Sequence, residues 1–132
     1  MPRLTLVLLS LCLCVGINIH AQKSPNLSSP KKTFKLLRKA IKNKDLELYT
    51  QLWYEPKVER EGMISDLKKS DKTWVRLQGI FTGPQKIMQD EYSESEGQKF
   101  YRCRIKAPKA KGGGIGTMRM ILHEGQWLMY SW

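Results

Sequence analysis

Side chains that carry covalent or metal chemistry are scarce in this chain. Of its 132 residues, three are cysteine and two are histidine, too few for the dense disulfide framework of a small secreted scaffold. Two of the cysteines, Cys12 and Cys14, lie in an apolar leader, so the rest of the chain keeps only Cys103 and His123. This pair has no zinc-ligand spacing. The sequence therefore predicts no metal, no cofactor and no internal disulfide, with Cys103 buried as a small hydrophobe and His123 facing solvent.

Long hydrophobic runs are also missing. Arg3 and the apolar stretch 4–17 are typical of a signal peptide, whereas a bilayer span takes about 20 apolar residues. Ala21 ends a suitable cleavage motif, and we predict a signal peptide over residues 1–21, with no transmembrane segment after cleavage. The alternative is an uncleaved anchor. An exported chain without disulfides fits a secreted or periplasmic bacterial protein.

Negative charge is the scarcer sign. The chain has 23 Lys or Arg against 12 Asp or Glu, a formal net charge of +11. Such an excess favours an anionic partner. Nucleic acid is physically suited to a basic domain, but an exported protein does not meet it, so we expect an anionic envelope ligand instead.

The first half of the chain has helical periodicity. Residues 22–30 predict a flexible spacer, and residues 31–132 a single domain. Ser29 followed by Pro30 is a helix-start signal, and a period near 3.6 predicts helices from residue 30 to about 42, after Asp45, and over 58–69. Lysines and Arg38 cover the rest of the first helix, which makes it amphipathic, and Lys39 and Lys42 complement the negative end of its dipole.

From residue 74 onward we predict strands. They cover residues 74–81, 86–92, 100–107, 115–122 and 126–132, with a polar loop at 93–97 and a basic glycine-rich loop at 108–114. Helices first and an antiparallel meander afterwards make an α+β domain, with the helices packed on one face of a sheet of four to six strands.

Both ends of this region resemble nuclear transport factor 2-like domains, a superfamily that includes ketosteroid isomerase-like and polyketide cyclase-like enzymes. At residues 40–45 the sequence Ala-Ile-Lys-Asn-Lys-Asp joins two predicted helices and is followed by Tyr49 and Leu52-Trp53. Near the end, Gly-Gln-Trp-Leu-Met at 125–129 follows a predicted strand. The likeness covers residues 33–132 and is carried by the order of elements. It implies a strongly curved sheet that wraps the helices in a cone and leaves a pocket.

The resemblance leaves two functions open. One is a non-enzymatic binding domain for a small or anionic ligand or a partner protein. The other is an isomerase- or cyclase-like enzyme with Asp90 as base and tyrosines as donors; otherwise Asp90 is a solvated carboxylate. We expect the pocket to be lined by Tyr49, Trp53, Tyr101, Met118 and Met120, with Arg102 and Arg104 at its rim or on the outer face.

Strand alternation predicts one sheet face of mixed arginines and aromatic rings. Tyr101, Cys103 and Ile105 share one side of their strand, as do Val75, Leu77 and Phe81 of theirs. The opposite face would carry an interface or anion patch of Trp74, Arg76, Phe100, Arg119 and Trp127, beside Arg102, Arg104 and Met129. Such a face suits an anionic ligand, a homodimer interface, or a solvated surface covered by arginine stems.

Overall fold

The computed structural model describes residues 24–81, 86–106 and 115–132. The predicted signal peptide, the turn expected at residues 82–84 and the glycine-rich loop at 108–114 lie outside these ranges. Within them the fold is α+β: four helices precede four antiparallel strands. No helix of the described residues is long and apolar enough to cross a membrane.

Helix α1 spans Pro30–Lys42, as the sequence predicts. The hydroxyl of Ser29 accepts a hydrogen bond from the Lys32 backbone N–H at 3.3 Å, and proline occupies the start of the first turn. Leu37, Ala40 and Ile41 are fully buried along one side. This apolar stripe anchors α1 in the core and leaves its lysines outside.

The segment before α1 is packed, although the sequence predicts a flexible spacer there. Leu27 is 2% exposed, and its carbonyl accepts a hydrogen bond of 2.8 Å from the backbone N–H of Trp127. Burying a leucine side chain contributes about 1.5–3 kcal/mol. The burial of Leu27 therefore holds this otherwise polar segment against the core.

Two further helices begin where the sequence predicts them, although α2 ends before Leu52 and Trp53, which the predicted helix included. Helix α2 spans Leu46–Gln51, and the Asp45 carboxylate caps it by accepting the Leu48 N–H at 3.1 Å. Helix α3 spans Val58–Lys69 and buries Ile64 and Leu67. Both helices place apolar side chains against the same core as α1.

The strand predicted over 74–81 is wrong, because Asp71–Phe81 forms helix α4. Trp74, Leu77 and Phe81 are buried at i, i+3 and i+7, while Val75 is 59% exposed. The alternation of Val75 with Leu77 is therefore not a strand pattern. Packing against α1 decides for the helix: the Phe34 and Phe81 rings lie 6.2 Å apart, and the Arg38 Nε–H donates to the Phe81 carbonyl at 3.3 Å.

The sheet is a four-stranded meander in the order β1-β2-β3-β4. Its strands are β1 (Lys86–Ser95), β2 (Gln98–Lys106), β3 (Ile115–His123) and β4 (Gln126–Ser131). Strand β1 runs through most of the loop expected at 93–97, and only Glu96 and Gly97 form the turn. Both have positive φ, as do Glu124 and Gly125 in the β3–β4 turn. Two-residue turns with positive φ at both positions match the strand twist, so these hairpins are tight.

Register defines two sides of the sheet. Tyr101 pairs with Met120, Cys103 with Met118, and Met120 with Met129. Because directly paired residues point to the same side, these buried residues share the helix-facing side. The neighbouring residues Arg102 and Arg104 lie on the opposite side, which we call the outer side. Strand β4 is also tied to the helices at its edge, where the Met129 N–H donates to the Leu52 carbonyl at 2.7 Å.

Candidate ligand pocket and basic sheet surface

An apolar cavity of about 290 Å³ lies between α4 and the helix-facing side of the sheet. We call it the α4 pocket. It is small for a ligand site, since such pockets span about 300–1,000 Å³. The described residues that line it are Arg76, Leu77, Ile80, Phe81, Ile105, Gly116, Thr117, Met118 and Trp132.

Helical geometry explains the α4 wall of the pocket. Leu77 and Phe81 are one turn apart and buried, and Arg76 and Ile80 lie one turn apart beside them. A strand would have separated Arg76 from Leu77, whereas at 100° per residue the helix keeps all four on one side.

The sheet supplies the pocket floor. Ile105 near the end of β2 is paired with Gly116 in β3, and paired residues face the same side. A Cβ built at Gly116 would meet nothing within 4 Å, and its φ lies outside the positive range. The missing side chain at Gly116 therefore leaves open space next to Ile105, on the side where Met118 also points.

Aromatic rings form the third wall. The ring centroids of Trp132 and Phe81 lie 5.1 Å apart. The Trp132 and Trp53 rings meet in a T-shaped contact with their centroids 5.4 Å apart. Trp132 stays 40% exposed. A ring that is half in the core and half open offers a ligand an apolar surface to contact.

Arg76 has the only charged side chain among the described residues that line the α4 pocket. It is exposed, and none of the carboxylates whose side chains the structure describes forms an ion pair with it. Its charge acts on Tyr49: burial raises the pKa of the Tyr49 hydroxyl, and Arg76 opposes that rise. The pocket thus combines apolar walls with one unpaired cation.

Of the side chains expected to line a pocket, Met118 lies in the α4 pocket, whereas four others fill the core. Tyr49, Trp53, Tyr101 and Met120 are each at most 5% exposed. The Tyr49 ring lies 5.7 Å from Trp74 in an edge contact, and its hydroxyl donates to the Met63 sulfur at 3.7 Å. Of these four, Trp53 contacts the pocket-lining ring of Trp132.

The outer side of the sheet carries three exposed arginines. Arg102 is directly opposite Arg119, and Arg104 is opposite Thr117, as the alternation pattern predicts. Glu91 in β1 accepts from Arg102 Nε at 3.2 Å. Phe100 lies on the same side, half-buried against the Tyr130 ring at 5.5 Å. This group is a basic surface with one carboxylate in contact.

Four residues assigned to this surface from the sequence lie elsewhere. Trp74 and Arg76 belong to helix α4 and not to a strand. Trp127 pairs with Leu122, and Met129 pairs with Met120, so both belong to the helix-facing side. The tight β3–β4 turn fixes this register, and Trp127 contacts the Tyr92 ring at 5.7 Å instead of the arginines.

Asp90 is an exposed carboxylate on the edge strand β1. The Tyr101 hydroxyl donates to its Oδ2 at 3.4 Å, and burial, together with the nearby Cys103 and Asp90, raises the pKa of Tyr101. Asp90 does not line the α4 pocket. The tyrosine and carboxylate meet, but outside an apolar enclosure.

The other candidate groups are where the sequence predicts them. Cys103 is 1% exposed, and burial raises the pKa of its thiol to about 11. His123 is exposed at the β3–β4 turn, 3.9 Å from Glu124. No cluster of three or more metal-ligating side chains is found among the residues that the structure describes.

Comparison of the chain with protein-family models, with curated proteins and with solved structures finds no match.

Proposed function

We propose that this chain is an exported, non-enzymatic binding domain for a small amphipathic anion. The apolar part of the ligand occupies the α4 pocket, and its charged group lies at Arg76. The observation that carries the proposal is one cavity of about 290 Å³ with apolar walls and a single cation that has no carboxylate partner in the described residues.

Physical chemistry favours this ligand class. Pockets with apolar walls and a few placed polar groups bind small molecules, and the polar groups set their orientation. A guanidinium binds a carboxylate, sulfate or phosphate through two parallel hydrogen bonds. A ligand with only a charged group would leave Leu77, Phe81 and Trp132 without a contact.

Binding is favoured over the isomerase- or cyclase-like alternative by the position of Asp90. A carboxylate base of that kind needs to share an enclosed site with the substrate, and Asp90 is exposed and outside the α4 pocket.

The proposal keeps the cone-like sheet curvature that the nuclear transport factor 2-like resemblance implies. Its support is the meander of four antiparallel strands with α4 against the helix-facing side. Export rests on the N-terminal sequence.

A pair of probes tests the proposed function. We expect a medium-chain fatty acid to bind the mature protein, and the alcohol of equal chain length to bind about fivefold more weakly, since an exposed ion pair contributes up to about 1 kcal/mol. In Arg76→Gln the two probes should bind alike. Arg102→Gln is the matched control, because it removes the same charge outside the pocket. Equal preference for acid over alcohol in wild type and Arg76→Gln would overturn the role of Arg76, and no binding of either probe would overturn the pocket.

A further inference from the structure

Four lysines form a row along α1. Lys31, Lys35, Lys39 and Lys42 recur at i, i+4, i+8 and i+11, so they lie on one side of the helix. All four are exposed. At 1.5 Å per residue the row is about 16 Å long. We call it the lysine row.

The charge of the lysine row is not neutralised by any acidic side chain that the structure describes. Helix α1 contains no acidic residue, and the ion pairs found among described side chains do not involve these four lysines. Other basic side chains do have partners: Lys44 lies 3.7 Å from Asp71, and Arg102 lies 3.2 Å from Glu91. The row is therefore a more concentrated source of positive potential than the outer side of the sheet.

The spacing of the row opposes helix stability, although Lys39 and Lys42 in the last turn complement the negative end of the helix dipole. Like charges four residues apart destabilise a helix, and the row contains two such pairs, Lys31–Lys35 and Lys35–Lys39. Lys31 also lies in the first turn, next to the positive end of the helix dipole. Ordinary solvated helices alternate the two signs of charge. A local pattern that works against its own element is typical of a functional surface.

The rest of α1 determines which partner fits. Its large apolar side chains are buried or half-buried on the other sides, including Leu37 and Ile41 at 0% exposure. The row thus offers no apolar group for insertion into a bilayer, which amphipathic interfacial helices require. A narrow, straight line of ammonium groups instead matches a line of negative charges.

We propose that the lysine row is a docking surface for a linear polyanion, a polymer bearing phosphate or sulfate groups. The polymer lies along α1 and places its anionic groups beside successive lysines. This surface is separate from the α4 pocket, and its function does not depend on the pocket.

Charge reversal at alternate positions separates binding from folding. The variant Lys31→Glu/Lys39→Glu makes the row alternate in sign, which replaces like-charge pairs by opposite-charge pairs. It puts one acid in the first turn and one in the last turn, so its two effects on the helix dipole offset each other. We expect its melting temperature to equal or exceed that of wild type while polyanion binding is lost. The control Lys72→Glu/Lys99→Glu changes the net charge equally at two exposed sites on α4 and β2.

The assay is binding of the mature protein to inorganic polyphosphate and to dextran sulfate over a salt series. Wild type should show a slope of log K against log salt of about −3, from four lysine contacts. The row variant should bind at least tenfold more weakly than the control. Binding to polyphosphate alone would identify phosphate as the partner group, and binding to dextran sulfate alone would identify sulfate.

Two outcomes would overturn the proposal. Equal weakening in the row variant and the control would mean that net charge alone governs binding. The second outcome is a row variant that no longer binds phosphatidylglycerol vesicles but still binds both polyanions like wild type. This result would mean that the row contacts lipid headgroups.

Discussion

Filling the α4 pocket from its floor gives the sharpest test of the site. Gly116 faces the same side as Ile105, and a Cβ there would meet nothing within 4 Å. In Gly116→Leu the new side chain should occupy the space that we assign to the ligand. Because the backbone at Gly116 is not in the left-handed region, the substitution adds no backbone strain.

The effect on stability should be favourable. Replacing glycine restricts the unfolded chain and contributes about 0.4–1 kcal/mol. Full burial of a leucine side chain contributes about 1.5–3 kcal/mol, and the half-open pocket should yield only part of that. We expect the free energy of unfolding to rise by about 1 kcal/mol, which moves the urea midpoint up by roughly 0.5 M for a domain of this size.

Binding should respond in the opposite direction. Urea denaturation and fatty-acid titration of wild type, Gly116→Ala and Gly116→Leu measure both quantities. Alanine adds only the Cβ and should keep most of the affinity, whereas leucine should abolish it. If Gly116→Leu loses more than about 1 kcal/mol of stability, the space is not open. If it binds the fatty acid like wild type, the ligand does not use the α4 pocket.

Three further predictions concern single contacts. Thr33 is fully buried and its hydroxyl donates to the Trp127 carbonyl at 2.6 Å; Thr33→Val should lose about 1–3 kcal/mol in urea denaturation, because that carbonyl loses its donor, and an unchanged midpoint would contradict this. Burial raises the pKa of the Cys103 thiol to about 11, so a thiol reagent at pH 8 should react only when the protein opens, and rapid labelling of the native protein would contradict the burial. The free energy of unfolding should fall as the pH rises from the pKa of the thiol in the unfolded chain through about 11. If the arginine surface is a homodimer interface, wild type should sediment as a dimer and Arg102→Glu as a monomer, and a monomeric wild type would exclude that interface.

The helices with strong end signals were predictable from the sequence. Ser29 with Pro30, and Asp45, are capping residues whose hydrogen bonds depend only on local geometry, and the structure contains those bonds. The turn before Gln98 was harder to place. Its two residues, Glu96 and Gly97, satisfy positive φ in a short turn, while the polar residues before them pair along β1 and read as a loop in sequence.

Helix α4 was mispredicted because its composition favours a strand. Tryptophan, valine, isoleucine and phenylalanine have high β-propensity, but tertiary packing overrides such preferences. Its partners are distant in sequence: the Gln78 side chain donates to the Ile41 carbonyl at 3.2 Å, and Phe81 packs on Phe34. The i, i+3, i+7 spacing of Trp74, Leu77 and Phe81 was the available signal.

The pocket was missed for the same reason. A strand at 74–81 would place Arg76 on the sheet surface. In helix α4, Arg76 lines the pocket and Phe81 lies beside Trp132. Ile105 and Gly116 could be paired only through the β2–β3 register. Alternation within one strand predicts which of its residues share a side of the sheet. Which sides of two neighbouring strands match is determined by the turn and the pairing register between them. The Trp127 assignment failed on this point, although the β3–β4 turn contained the information.

Methyl chemical shifts measured by nuclear magnetic resonance during fatty-acid titration would test the central claim most directly. We predict saturable shifts at the methyl groups of Leu77, Ile80, Ile105 and Met118, which line the α4 pocket, and no shift at the outer-side Ile121. Shifts that avoid the pocket methyls, or that centre on the arginine surface, would contradict the proposed ligand site.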